Sequence, residues 1–530
     1  MLVPGLAVVT VDDGFHAGDG FLELLDFVEL QVGVLHDLVD DSGGAGTVDG
    51  EVGDGGDGEG HVGGSDGTFD HTGLAVDGEA IESNAIGGGH NDDSAAVSSF
   101  KSVVLPEGDL EIVGEGVFTL PDGAEITVGE GATLTFSAPV YLKGGLNKNG
   151  KGQVFFEKIL RSEADPLSLT KTTGFGGLFR VAQGEAVIDC PVEGLRLCSY
   201  STERADMPLL ILADDAVIVT NSYVHAVYND KEALTLGYGR VVQNGGTVDM
   251  TRGGSISSVP YTMSLYVDGE SSITVNGGSF SMPVSGDYQC FFNYNQFAPI
   301  WQSGGGTNTI VVNGGTVTLG VYLWTATQSN AHNAIELNGG RLTSRYLRQE
   351  AGYFDFRLNG GEFYQPLWGT SYEVPKAPGN WTENLDRFNV SISGEVCFIQ
   401  DTAGNESKFR CKVTGSGKIR QAGVASISFV DSSFSGDYAV EKGSLKIGSG
   451  MLPLSADAKL SVDSGAKVIL DYEGSADINS IEIAGKLRRA GQYSADSDPH
   501  GGRFGGYFEG IGVLNALTGA EVRGMSVTVR

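Results

Sequence analysis

At 530 residues and a formal charge of −33, with 67 acidic residues against 34 lysines and arginines, the chain repels nucleic acid and anionic lipid, and neither is expected as a partner. Its hydrophobic content of 40% suffices for a sizeable core, yet no apolar run approaches the roughly 18 residues of a membrane-spanning helix. The five cysteines form no Cys-x-x-Cys pair and have no histidine at metal spacing, so neither a metal site nor a cofactor is expected. Two disulfides, Cys190 with Cys198 and Cys397 with Cys411, compete with a reading of all five, Cys290 included, as buried free thiols.

The first hundred residues obey their own rules. They carry 21 acidic residues, five of the eight histidines and no lysine or arginine. The opening "MLVPGLAVVTVDDGF" lacks a basic start and is interrupted by aspartates, so it does not read as a secretory signal. The run "DGEVGDGGDGEGHVGGSDG" is of low complexity and buries too little apolar surface to offset ordering entropy. Residues 1–98 are therefore expected to be a disordered acidic segment or the product of a miscalled start. A calcium-binding reading is disfavoured, because the run lacks the fixed apolar position of nonapeptide arrays and the spacing of an EF-hand loop.

From Val103 the texture becomes strand, turn, strand: "LEIVGEGVFTLPDGAEITVGEGATLTF" alternates apolar residues and breaks them with glycine. Between 240 and 365 one sentence recurs. "RVVQNGGTVDM", "SITVNGGSFSM", "TIVVNGGTVTL", "AIELNGGRLTS" and "DFRLNGGEFYQ" place Asn-Gly-Gly at Asn244, Asn276, Asn313, Asn338 and Asn359. Asn-Gly is a strong hairpin signal, but a meander has no reason to repeat the flanking identities. A corner used once per coil does. Asn and Gly both tolerate the left-handed bend, and stacked coils would set Asn on Asn at about 4.8 Å. Val275, Phe280, Val312 and Val317 would then point into a narrow core, with 282–306 expelled as a loop. The fold class expected is all-β, a right-handed parallel β-helix, with NGG-turn coils over 99–412.

The last third, 413–530, carries a family resemblance. Gly415, Gly417, Ser435-Gly436 and Gly443-Ser444-Leu445 follow the pattern of the autotransporter-associated β-strand repeat, and 141–158 is a fainter copy. Gly491-Gln492-Tyr493 and Gly510-Ile511-Gly512-Val513-Leu514 resemble the closing segment that follows such repeats. The resemblance implies a β-helical passenger exported to the surface of a Gram-negative-type bacterium. The chain departs from that family after Gly510, where the 20 remaining residues leave no room for a membrane barrel.

Candidate chemistry is thin. Asp214 and Asp215 read as a turn between apolar runs, His225 as a lone strand histidine, and Arg345 and Arg348 as a solvated face. No nucleophile triad, P-loop or dinucleotide fingerprint stands out. Aromatic residues are better placed: Tyr322, Trp324, Tyr346, Tyr364 and Trp368 follow the corners, and Tyr322, Tyr346 and Trp368 do so by nine, eight and nine residues. Tyr and Trp at half-exposed positions suit stacking on sugar rings or docking a protein. The expectation is an extracellular or cell-surface stalk or adhesin-like module, more a binder than an enzyme, whose partner is a glycan or a cell-surface protein. The alternative is a polysaccharide-cleaving β-helix enzyme. Oligomeric state is not legible.

Overall fold

The computed structural model describes the strands at 8–10, 68–76, 79–87 and 98–99 and most of 102–521; the main stretches outside that description are 11–67, 163–176, 220–233, 250–261, 293–306, 326–331, 366–371, 375–384 and 522–530. The described chain is almost entirely strand, and no helix in it is long and apolar enough to cross a membrane. It divides into two units, 1–223 with 231–254, and 224–230 with 255–530.

In the first unit each coil visits three faces. The first face stacks Ser102–Leu105, Ala124–Val128, Leu146–Asn149, Gly177–Val181, Leu195–Tyr200 and Leu234–Gly237, all in parallel register. Asp109–Val113, Thr133–Ser137, Gln153–Phe156, Glu185–Ile188, Leu209–Leu212 and Arg240–Gln243 form the second. The third runs from Phe118–Leu120 to Thr247–Asp249. The parallel β-helix is thus observed, and the alternation explains it. In "AEITV" Ala124, Ile126 and Val128 are fully buried while Glu125 is exposed. Phe118, Phe136, Phe156 and Phe179 follow one another along the core with ring centroids 5.2–5.6 Å apart. Burying each such ring contributes about 1.5–3 kcal/mol.

The second unit opens with the same three faces. Its first face stacks Thr262–Asp268, Tyr288–Phe292, Tyr322–Thr325 and Tyr346–Gln349, after which no described strand joins it. The second and third faces continue alone, so the coils shorten. Third-face strands begin at Glu395, Lys418, Asp437, Lys459 and Ser480. The core keeps its aromatic filling through Phe356, Phe363, Phe398, Phe409 and Phe429, whose centroids are 5.2–6.1 Å apart in sequence. The junction expected at 412/413 falls inside the strand Glu406–Gly415, so the C-terminal repeat continues the preceding coils without a break.

The C-terminal end changes direction. Lys486–Leu487 lies antiparallel on Ser480–Ile483. Gly491–Tyr493 lies antiparallel on Val513–Ala516, with Tyr493 opposite Leu514 and both side chains fully buried. In the acidic N-terminal segment three strands are described: Val8–Thr10, antiparallel to Ser102–Leu105, and the hairpin of Thr68–Val76 with Glu79–Gly87. The composition of 1–98 as a whole predicts disorder, and these strands depart from that expectation. The Gly/Asp run lies outside the described residues.

The disulfide alternative fails. Cys190, Cys198, Cys397 and Cys411 are free and buried, and Cys397 and Cys411 belong to the third and second faces respectively. Burial pushes the thiols of Cys190 and Cys411 up to about 12 and that of Cys397 to about 11.

Candidate functional site

The Asn-Gly-Gly corners join the second face to the third. Val275 and Ser279, on either side of Asn276, pair with Val312 and Thr316 of the next coil on two different faces, not with each other. In the second unit the asparagines bond in a ladder. Asn313 Nδ2 donates to Asn276 Oδ1 (2.8 Å), Asn338 to Asn313 (2.9 Å) and Asn359 to Asn338 (2.7 Å); Ser393 Oγ then donates to Asn359. The left-handed residue is not the asparagine. It is the second glycine: Gly246, Gly278, Gly315, Gly340 and Gly361 have φ between 64° and 79°. The first glycine is needed for proximity, since a Cβ on Gly339 would lie 2.5 Å from the Asn313 carbonyl oxygen. The motif therefore divides its labour: a rung, a close approach and a bend.

The same corner runs on into the C-terminal repeat. A Cβ on Gly394 would meet the carbonyl of Asn359 at 1.8 Å, one on Gly417 that of Gly394 at 2.2 Å, and one on Gly436 that of Gly417 at 1.9 Å. Gly417 and Ser435-Gly436, singled out in the sequence as elements of a different repeat, thus occupy the NGG column.

The aromatic candidates separate. Tyr322 and Tyr346 are register partners on adjacent first-face strands, and Trp324 is partnered by Phe291 before it and Arg348 after it. Tyr266 precedes Phe291 in the same column. Between the two columns runs the Leu323 and Leu347 position, where Leu347 is buried. Tyr364 is on the third face, partnered by Thr343 and Ile399. It is half-buried under the Arg341 guanidinium at 5.3 Å, which also bonds Glu362 at 2.6 Å. Burial, then the neighbouring Asp401 carboxylate, raises its hydroxyl above the ordinary tyrosine value. Trp368 lies outside the described residues. The constant offset from the corner thus locates one pair, while the Tyr266, Phe291 and Trp324 column escapes it because the number of residues between corner and strand differs. Phe291 itself lies in 282–306, expected as an expelled loop, where Tyr288–Phe292 is a strand of the first face.

Three further features were not expected. Lys148, fully buried, points its ammonium into a first-to-second-face turn and donates to the carbonyls of Gly150 (2.6 Å), Gly152 (2.5 Å) and Gln183 (2.9 Å). Burial pulls it down to about 8 against the opposing attraction of Glu185. His332 and Tyr353 stack on the exposed second face at 4.6 Å and 7°, with Arg387 over Tyr353 at 5.0 Å. Outward charges alternate in sign from coil to coil, as in Arg420 between Glu395 (3.3 Å) and Glu441 (2.7 Å). Each such exposed pair contributes under about 1 kcal/mol.

Asp214 and Asp215 form the expected turn, in which the Asp215 N–H donates to Asp189 Oδ1 of the coil before (2.9 Å). His225 and Arg345 lie outside the described residues. Among the described residues no group of three His, Cys, Asp or Glu is gathered to hold a metal ion. No protein-family model, curated protein or solved structure matches the chain.

Proposed function

We propose that this chain is an exported β-solenoid, secreted or held at the cell surface, that serves as a stalk or adhesin-like module and binds a glycan or a cell-surface protein through the first face of its second unit. The observation that carries the reading is the register of that face. Tyr322 pairs with Tyr346, and Tyr266, Phe291 and Trp324 occupy consecutive rungs of one column. Rungs about 4.8 Å apart set five aromatic positions within one small patch. Aromatic positions so grouped suit the apolar faces of sugar rings and the hot spots of protein interfaces. The test is the variant Tyr322→Ala, Trp324→Ala, Tyr346→Ala, measured for thermal melting and for binding to a glycan array and to whole cells. Lost binding with melting retained supports the module. Unchanged binding in a folded variant removes it.

A second reading, a polysaccharide-cleaving enzyme, draws on one observation: Asp189, Asp214 and Asp215 meet at neighbouring corners of the first unit. Incubation with acidic polysaccharides, comparing the native chain with the triple Asp→Asn variant, decides it by the appearance of new chain ends.

A further inference from the structure

The chain contains six Asn-Gly dipeptides, the five corners and Asn149-Gly150. Asn-Gly is chemically the weakest peptide sequence for asparagine, because glycine offers no side chain to block attack by its own nitrogen. The structure treats four of them in two ways. At Asn313, Asn338 and Asn359 the carboxamide is held at both ends, its Nδ2 donating down the ladder and its Oδ1 accepting from the next rung. The attacking nitrogen is held too: the N–H groups of Gly314, Gly339 and Gly360 donate to the carbonyls of Val275, Val312 and Leu337 at 3.3, 3.1 and 3.0 Å.

At Asn149 the carboxamide is half-buried at the end of Leu146–Asn149 and makes no hydrogen bond among the described residues. The Gly150 N–H meets only a side chain, Gln183 Oε1, at 3.3 Å. The Lys148 ammonium, 2.6 Å from the Gly150 carbonyl oxygen, adds a positive charge beside the nitrogen that must lose its proton to attack.

We propose that Asn149-Gly150 is a spontaneous deamidation site of the folded protein, and that the ladder shields Asn313, Asn338 and Asn359 from the same reaction. The Gly150 nitrogen bonds to the Asn149 side-chain carbonyl carbon. The carboxamide C–N bond breaks, and ammonia leaves with the proton that Gly150 gave up, closing a succinimide. Water opens the ring at either carbonyl and yields aspartate or isoaspartate. The isoaspartyl product lengthens the main chain next to the carbonyls of Gly150 and Gly152, so the reaction loosens the cradle around Lys148.

The experiment incubates the full chain at mildly alkaline pH, native and in urea, and follows amide-to-acid conversion at each Asn-Gly by peptide mass spectrometry. In urea the sites convert at similar rates, since each is followed by glycine. In the native chain Asn149 converts at least about tenfold faster than Asn313, Asn338 and Asn359, one decade of rate. Equal native rates, or an Asn149 slower than the ladder, overturn the proposal. An Asn149→Gln variant, which needs a larger and slower ring, abolishes the native signal at 149 and leaves the ladder rates as they were.

Discussion

One kind of turn in each unit is held together by opposite means: the second-to-third-face corner of the second unit and the first-to-second-face turn at Lys148 in the first. In the second, the corner repeats one neutral group, and Asn313, Asn338 and Asn359 each give a donor and take one, with Asn276 accepting at one end and Ser393 donating at the other. In the first, a single charged side chain, Lys148, gathers three carbonyls of two coils at once. A neutral ladder spreads a modest gain, about 1 kcal/mol per bond, over many rungs and tolerates the loss of one. A buried cation concentrates the effect at one point, where desolvation opposes it. The lesson is that a solenoid can be regular in its backbone while its corners differ in how much depends on any one residue.

Substitution at the lysine should produce the largest effect. Lys148→Ala leaves three carbonyls facing a cavity and should lower the stability of the first unit by about 4 kcal/mol. Lys148→Met, which fills the space without the charge, should cost about 1 kcal/mol. Urea titrations of the two variants separate packing from charge, and equal losses would mean that the ammonium, not the filled space, carries the whole effect. Next is the bend. Gly340→Val forces a branched side chain into φ +66°, with its Cβ 2.5 Å from the Gly315 carbonyl, and should cost about 3 kcal/mol. The rung is milder. Asn338→Ala breaks two ladder bonds and Asn338→Asp loses only the donor, so losses of about 2 and 1 kcal/mol are expected by urea titration. A larger loss for Asp would show that the ladder is sensitive to charge.

The smallest effect is in pH. Lys148 is lowered in the folded chain to about 8 from 10.5, so below pH 8 both states hold the proton. Between pH 8 and 10.5 the folded state releases it first, and this contribution to stability grows as pH rises. The Cys190 thiol, raised by burial to about 12, acts the other way, because above its unfolded value only the unfolded state ionises. The lysine is therefore read as a difference: from pH 8 to 10 the native chain should lose less stability than Lys148→Met. Parallel pH curves for the two would exclude a lowered Lys148.

How much of this was legible follows from what repeats. The five corners share flanking apolar residues, and repetition itself implies stacking, so coils, core columns and an asparagine ladder could all be read from the sequence. The bend at the second glycine could not, because Asn and Gly are both compatible with it. Lys148 was hidden because "LNKNGKG" looks like an ordinary solvated turn; nothing local says that residue 148 continues the inward column of Ile126. The aromatic face was half legible. Tyr322 and Tyr346 keep a common distance from their corners. Tyr364, five residues after Asn359, is still on the third face when the chain passes it.

The antiparallel turn at Lys486–Leu487 has a consequence for a protein at high concentration. Parallel rungs with matched amide columns are the arrangement of an amyloid protofilament, which grows because its last strand recruits the next. On the third face the last rung, Ser480–Ile483, is met by the chain doubling back on itself, and the strand that covers it is short and carries an exposed lysine. A blunt, charged terminus of that kind makes a poor seed, so on this face the chain carries its own stop to fibril growth.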